Sequence, residues 1–520
     1  MKHADADCVP AVGARSALRW LRWNCSGSAV LLVLQLAYTM YTGRTVTPSA
    51  FGAYAIALTV IQLLGYVSNG GLATYVLRAG VLTRPAVHAA WRLGTACGIL
   101  CFLVVQTTAP LIGTLWHMPE MTPLLRLLGC QFLVQPAATV VIATLRRTGR
   151  ARTAVTCELA GQASGIAAGV TLIALGWNPL GLAAAQPAAA TVTLALVTLR
   201  VSARPVLPPG APVRARQLLV PSGFLAGFGL LEFASTSSPT WMAGHLFGAG
   251  ATGAYSRAAY FVGLPSQVLF QGLNSAATPL LAERRASDRL VGGRAAEYVV
   301  CAASAATFVG FGALCGLGPA ALGLLLGPGW ELATALVPLT AAGAGMALLC
   351  RSGMIIDQTR HASRAVLTTQ LTVLSTTFAG IGIAVMEQSL VLLAGAVAVG
   401  QTAGHLVQLG GWHRAGLLHT GAALRMHAIH ALIGGGLGAA AALGGSGRSP
   451  AAAIGYGLAC MLPVVVLCAL FRRWIPLYAV ASAAGILRSP GGPRAGPELT
   501  GEGARLAAAA HDDVKDISRA

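Results

Sequence analysis

Long apolar runs separated by brief polar interruptions extend along almost the whole chain. A membrane-crossing helix needs about 20 predominantly apolar residues. Windows of that size give about fourteen candidate spans: 25–43, 52–73, 92–114, 123–145, 153–175, 179–199, 218–240, 251–281, 298–326, 332–350, 365–386, 389–410, 427–444 and 450–471. Arginine alternates across them. With the N-terminus inside, the inner connections hold Arg78, Arg84 and Arg92, then Arg146 to Arg152, Arg200 to Arg216, Arg284 to Arg294, Arg351 to Arg364, Arg414 and Arg425, and Arg472 with Arg473. The outer ends hold only Arg44, Arg126, Arg257 and Arg448. Cytoplasmic loops collect basic residues, so this alternation predicts an even number of spans with both termini cytoplasmic.

Two spans repeat one another. Gly52-Ala53-Tyr54 opens the second and Gly253-Ala254-Tyr255 opens the eighth, from the same predicted side. The six spans between them make an even number, so the two copies share an orientation. That pattern predicts two pseudo-symmetric six-helix lobes, 25–199 and 218–410, joined by a cytoplasmic linker at 200–217. Two further spans occupy 411–475. A cytoplasmic N-terminal segment (1–24) and a disordered tail (476–520) complete an all-α polytopic fold of about fourteen helices.

The eighth span carries a polar stripe. Arg257, Tyr260, Gln267, Gln271, Asn274 and Thr278 fall on one helix face. Six polar side chains on one face of a span do not suit lipid; they face a wet cavity or a neighbouring helix. The second span has a thinner version in Thr59, Gln62, Tyr66 and Asn69. Amides and hydroxyls of this kind suit exchangeable contacts with sugars; hydrogen bonding between helices is the plainer reading. Pro265 lies mid-helix in the same span, as a hinge or a static kink.

Composition agrees with a membrane protein. Of 520 residues, 55% are hydrophobic and 10% charged, with a mean hydropathy of +0.69, where soluble domains carry roughly 25% charged residues. The first 24 residues are polar and basic, and no cleavable leader is read there. The net charge of +19 is explained by the inner-loop arginines, so no nucleic-acid partner is inferred. The 11 cysteines lie almost all in or beside apolar runs, without metal-ligand spacing. His427 and His430, three residues apart at the inner end of a span, lack a third ligand and are read as interfacial; no metal or cofactor is expected. Gly165/Gly169, Gly312/Gly316 and Gly434/Gly438 are read as close-packing motifs.

Four stretches resemble a known family. "GRTVTPSAFGAYAIAL" (43–58) resembles the junction of its first two helices and "NGGLATYVLR" (69–78) the end of its second. "GATGAYSRAAYFVGLPSQVLFQGLNSAATPLLAE" (250–283) is similar to its eighth helix, and "LLGPGWELA" (325–333) to the turn after its ninth. The family is the Wzx-like branch of the multidrug/oligosaccharidyl-lipid/polysaccharide (MOP) superfamily, and the resemblance covers roughly residues 15–475. One departure is Pro239, which stands where relatives often carry an acidic residue five positions before the Gly matching Gly244. The resemblance implies two lobes around a central cavity. It also implies a polyprenyl-diphosphate-linked oligosaccharide as substrate, moved from the inner to the outer leaflet of the cell membrane.

On that implication Arg257 is the candidate counter-charge for a diphosphate, with an ion pair to Glu232 as the alternative. Tyr260, Gln267, Gln271, Asn274, Gln62 and Asn69 are candidate substrate contacts. Arg44 and Arg78, flanking the second span, are either headgroup contacts or membrane anchors. Glu232 is the deepest carboxylate and the candidate for coupling to protons or sodium. Glu158 is read as neutralising the arginines near Arg152, and Asp357 as a solvated salt bridge. The expected surroundings are the bilayer, the lipid-linked substrate and other polysaccharide assembly proteins, such as a polymerase. A cation exporter of the same superfamily is the main alternative. A membrane glycan polymerase or ligase is weaker, because such enzymes use a large outer loop bearing catalytic residues and none is present. No phosphate-cradling loop or nucleophile elbow occurs.

Overall fold

In hydrocarbon, every backbone amide must find its partner within the protein, and a helix achieves this within one segment. The computed structural model follows that rule: all regular structure among the described residues is helical. It describes residues 14–69, 71–78, 82–200, 208, 215–283 and 289–470; within these, the side chains of 14–29, 67, 69, 74, 78, 215–226, 228, 276, 278–280, 282–283 and 289–294 lie outside the described set. The linker and the tail after 470 therefore fall largely or wholly outside it, as do the side chains of Asn69, Arg78 and Thr278.

The helices are α1 (Ala14–Thr45), α2 (Pro48–Asn69), α3 (Leu72–Arg78), α4 (Arg84–Leu115), α5 (Met121–Gly129), α6 (Gln135–Arg147), α7 (Ala151–Ala174) and α8 (Leu180–Arg200). They continue with α9 (Ala215–Glu283), α10 (Arg289–Ala305), α11 (Phe311–Leu326), α12 (Glu331–Thr359), α13 (Ser363–Met386), α14 (Leu390–Arg414), α15 (Thr420–Gly445) and α16 (Pro450–Leu470). Among the described residues, 11 helical segments are long and apolar enough to cross a membrane. They account for eleven of the predicted spans; the other three, 25–43, 218–240 and 251–281, fall on α1 and on the two limbs of α9.

Two predicted spans are not uniform helices. Span 123–145 is α5 and α6 joined by a 3-10 turn at Cys130–Leu133. Pro136, at the start of α6, disfavours the helical conformation of the residue before it and marks the break. Span 298–326 is α10 and α11 joined through a π-helical turn at Ala306–Gly310.

Helix α9 is also broken. Gly248 has φ 78° and ψ −177°, a backbone conformation that residues with a Cβ rarely adopt. Arg351 of α12 meets Glu232 on the limb before Gly248 and Phe270 on the limb after it. Both limbs thus return to one level of α12, so the chain reverses at Gly248. Helical backbone continues through Pro265, and the non-helical residue within α9 is Gly248.

Where lipid removes the hydrophobic drive between helices, small residues that admit close backbone approach hold them together. A Cβ at Gly316 would overlap the Gly438 carbonyl, and one at Gly312 would overlap the Gly434 backbone. Two of the predicted Gly-x-x-x-Gly motifs therefore face each other across α11 and α15. The repeated Gly-Ala-Tyr segments do the same with an exact reciprocity. A Cβ at Gly52 would strike the carbonyl of Ala249, and one at Gly253 would strike the carbonyl of Pro48. In each case the glycine meets the residue four positions before its counterpart. The two helix starts cross as symmetry mates.

Candidate functional site

The reciprocal crossing brings the second repeat's charge into the first half of the chain. Helix α9 enters at Gly253, and one turn later Arg257 points into a cavity of about 200 Å³. The walls come from α1 (Gln35, Tyr38, Thr39), α2 (Phe51, Tyr54), α7 (Gln162), α8 (Gln186) and α9 (Ser256, Arg257, Tyr260). Arg257 is the one charged group in this lining, and no carboxylate faces it there. Its guanidinium carbon stands 3.5 Å above the centre of the Phe51 ring and 5.7 Å from that of Tyr260. A planar cation on an aromatic face is oriented by the ring quadrupole. Phe51 is fully buried and packs edge-on against Trp330, 5.5 Å between centroids. Trp330 Nε1 in turn donates to the Gly43 carbonyl at 2.8 Å. The arginine is thus held through a chain of contacts running into α1, α2 and the turn before α12.

Around Arg257 the polar groups are neutral. The Tyr54 hydroxyl faces Gln186 and that of Tyr260 faces Thr39. The Tyr38 hydroxyl is buried without a hydrogen-bond partner, an arrangement that costs free energy unless something occupies the cavity. A cavity of 200 Å³ at about 30 Å³ per water has room for roughly six or seven waters. That space is of the size of a diphosphate or one sugar ring.

The remaining candidates divide. Gln267, Gln271 and Asn274 are exposed and continue the Arg257–Tyr260 face along α9. Gln62 on α2 is exposed as well. Arg44 is not in the cavity; its Nη2 donates to the Leu324 carbonyl at 2.9 Å and ties the end of α1 to the last turn of α11, where a cation suits the helix dipole. Glu232 does not pair with Arg257. Its Oε1 lies 2.8 Å from Arg351 Nε, with both side chains about a third exposed. Tyr66 and Phe270 surround this second polar cluster. Arg351, read from sequence as a loop cation, therefore sits inside α12 as that partner.

Glu158 bonds Arg146 at 2.7 Å, which fits its reading as a neutralising group for the arginine cluster. Asp357 is no solvated salt bridge. It is 2% exposed and accepts a hydrogen bond from Trp412 Nε1 at 2.8 Å. His427 and His430 are not interfacial; they are buried, at 7% and 0% exposure. No cluster of His, Cys, Asp and Glu suited to a metal occurs among the described residues.

Sequence reasoning missed Tyr38, Tyr54, Gln35, Gln162 and Gln186. Each amide is alone in an apolar span, so no stripe announces it. The available signal was the cost of placing any amide there, repeated once each in three helices.

Comparison with known proteins fits this geometry. The family described as polysaccharide biosynthesis protein matches residues 43–334, more than half the chain. The chain belongs to that family, in the Wzx-like branch of the MOP superfamily. Among family relatives, the succinoglycan biosynthesis transport protein ExoT of Rhizobium meliloti (strain 1021) is 25% identical over 270 residues, 51% of this chain and 53% of the relative. The lipopolysaccharide biosynthesis protein WzxC of Escherichia coli (strain K12) is 23% identical over 115 residues, 22% of this chain and 23% of the relative. The matched stretches thus span about half of ExoT and under a quarter of WzxC. In fold, the chain resembles the lipid II flippase MurJ in an inward closed conformation, with TM-score 0.66 and 10% identity over 88% of this chain and 100% of that one. It also resembles an inward-facing multidrug resistance MATE transporter of the MOP superfamily, with TM-score 0.59 and 14% identity over 74% and 94% of the two chains. The family match, this fold and the 11 long apolar helices among the described residues fit a multi-pass membrane protein.

Proposed function

We propose that this transporter flips a polyprenyl-diphosphate-linked oligosaccharide from the inner to the outer leaflet of the cytoplasmic membrane, by alternating access between two six-helix lobes. In this reading about fourteen spans are arranged as lobes at 25–199 and 218–410 with two extra helices, and both termini are cytoplasmic. The supporting observation is the cavity around Arg257. It offers one cation, no carboxylate and an unpartnered tyrosine hydroxyl. An anionic headgroup gains most from a counter-charge where the surroundings are partly desolvated. Arg257 takes the diphosphate, the amides and hydroxyls of Gln35, Gln162, Gln186 and Tyr38 take the adjoining sugar, and Gln267, Gln271, Asn274, Gln62 and Asn69 line the route of the rest. The names of ExoT and WzxC, a succinoglycan transport protein and a lipopolysaccharide biosynthesis protein, point the same way. Glu232 with Arg351 is the carboxylate candidate for ion coupling, and Pro265 a place where α9 can flex. Delivery to a polymerase on the outer side follows from the product's chemistry.

Cation export is the second reading. It is disfavoured because a cation would have to enter beside Arg257 with no carboxylate to receive it. Deletion of the gene separates the two. Loss of a surface glycan with its lipid-linked precursor held on the inner leaflet supports the flippase; intact glycan with new sensitivity to cationic dyes overturns it in favour of the exporter.

A further inference from the structure

Away from the cavity, the second half of the chain encloses a run of hydrogen bonds that transport of a sugar lipid does not require. Three histidines take part. His405 Nε2 lies 3.2 Å from His427 Nε2. His427 Nδ1 lies 2.7 Å from Ser304 Oγ, and Ser304 Oγ lies 2.9 Å from His430 Nδ1. At the other end His405 Nδ1 lies 3.2 Å from Gln408 Oε1. The three rings are 3%, 7% and 0% exposed. They bring together α14 (His405), α15 (His427, His430) and α10 (Ser304), the last next to the π-helical turn at Ala306–Gly310. Turns of that kind recur at functional sites.

Hydrogen-bond chemistry fixes the direction of every bond for neutral rings. Gln408 Nε2 donates to the Cys350 carbonyl at 3.0 Å, so its oxygen must accept from His405 Nδ1–H. A neutral imidazole has one N–H, so His405 Nε2 accepts from His427 Nε2–H. His427 Nδ1 then accepts from the Ser304 hydroxyl, and Ser304 accepts from His430 Nδ1–H. The series ends on His430 Nε2, which holds a lone pair and is buried without a partner. That lone pair, at the head of a fully oriented chain, is the one ring nitrogen of the series left for an incoming proton to occupy.

We propose that this chain is a proton-binding site, loaded at His430 Nε2 and discharging its charge onto His405. The transfer balances in three hops. A proton binds His430 Nε2, and His430 Nδ1 passes its proton to Ser304. Ser304 passes its own to His427 Nδ1, and His427 Nε2 passes its own to His405 Nε2. His405 becomes the imidazolium, His427 and His430 end neutral with their N–H groups exchanged, and every bond between Ser304 and His405 reverses direction. The His405 end is distinguished by its neighbours. His405 Nδ1–H keeps the Gln408 oxygen, and the His405 ring lies edge-on to Trp412 with centroids 6.1 Å apart. Trp412 in turn is bonded to Asp357. A cavity of about 380 Å³ there is lined by Gln408, Asp357 and Trp412 with Arg360 and Arg414, so a polar exit adjoins that end. The other ionisable groups packed near the chain are Cys350, with Glu232 and Arg351 in its field, on α12, and Cys301, with Glu297 in its field, on α10. Among the described residues neither a carboxylate nor an arginine is hydrogen-bonded to any of the three rings. The inference stands whether or not the transported substrate is a sugar lipid.

The test is the ring-nitrogen spectrum of the full-length protein, labelled with 15N-histidine in lipid bilayers and titrated between about pH 8 and pH 5, the range in which imidazole ordinarily changes charge. The 11 histidines are assigned by single substitutions. The expected result at high pH is Nδ1–H on His405, Nε2–H on His427 and Nδ1–H on His430. On acidification His405 gains a second N–H while His427 and His430 exchange tautomers together. Ser304→Ala cuts the chain and should leave His405 neutral throughout; Ser304→Thr, which keeps the hydroxyl, should restore the joint response. His430→Asn gives an independent cut with Ser304 in place and should likewise leave His405 neutral. Rings that stay neutral over the whole range in the wild-type protein overturn the proposal, as does an unchanged His405 response in folded Ser304→Ala or His430→Asn.

Discussion

Arg257 is the residue on which the proposed transport depends, and its neighbours make the prediction specific. Its charge is needed opposite a diphosphate, and its plane is needed over Phe51. Arg257→Ala should abolish surface glycan in a complementation assay while the amount of protein in the membrane stays normal. Arg257→Lys should fail nearly as badly, since an ammonium keeps the charge and loses the flat, bidentate face. Tyr38→Phe should separate stability from function. It removes a buried hydroxyl that has no partner, so the empty protein should gain about 1 kcal/mol, read as a higher melting temperature, while glycan export falls. Arg257 and Tyr260 were legible in the sequence because they belong to a stripe with helical spacing. Tyr38, Gln162 and Gln186 were not, because they lie on three different helices, α1, α7 and α8, and only the tertiary packing assembles them. Asp357 and the buried histidines were misread for a related reason: position along a span gives depth in the membrane, and says nothing of which side faces the protein.

At the level of helices, close approach decides what can change. Gly52→Ala and Gly253→Ala each push a methyl into a carbonyl of the other helix, and overpacking of this kind costs about 1–3 kcal/mol. Because the two contacts are related by symmetry, the two variants should lower the melting temperature by similar amounts. Helix existence and order were readable from hydrophobic run length, which is set by membrane thickness. The internal breaks were less so. The turn at Cys130–Leu133 and the π turn at Ala306–Gly310 lie inside stretches whose mean hydropathy reads as one span, and hydropathy is blind to hydrogen-bond register. Pro265 drew attention as a helix breaker, yet the reversal falls at Gly248, where a positive φ is needed. The Glu232–Arg351 bridge links α9 to α12 at a partly exposed position, so its stabilising value is small. Exchanging the two residues, Glu232→Arg with Arg351→Glu, should preserve the melting temperature; glycan export measured in the same variant then tests whether the carboxylate must sit on α9.

The molecule as a whole combines a symmetric frame with an asymmetric site. The repeats match at Pro48 and Ala249, at Gly52 and Gly253, and at Tyr54 and Tyr255, all 201 residues apart. Arg257 answers to Ile56 in that register. Ile56 is fully buried and packs against Gly244, and it is not among the residues that line the cavity. Moving the charge to the other copy, as Ile56→Arg with Arg257→Ile, should therefore leave export abolished, with a loss of folded protein that Arg257→Ala does not show. In the proposed cycle the anion is received on the second repeat's side of that crossing. There is a mechanical corollary to Arg257 lying a single turn beyond Gly253 on one continuous helix. Any motion that parts the Gly52–Gly253 crossing also moves the guanidinium against its aromatic rest, so in the proposed cycle unlatching that end of the bundle and letting go of a bound diphosphate are geared to a single stroke.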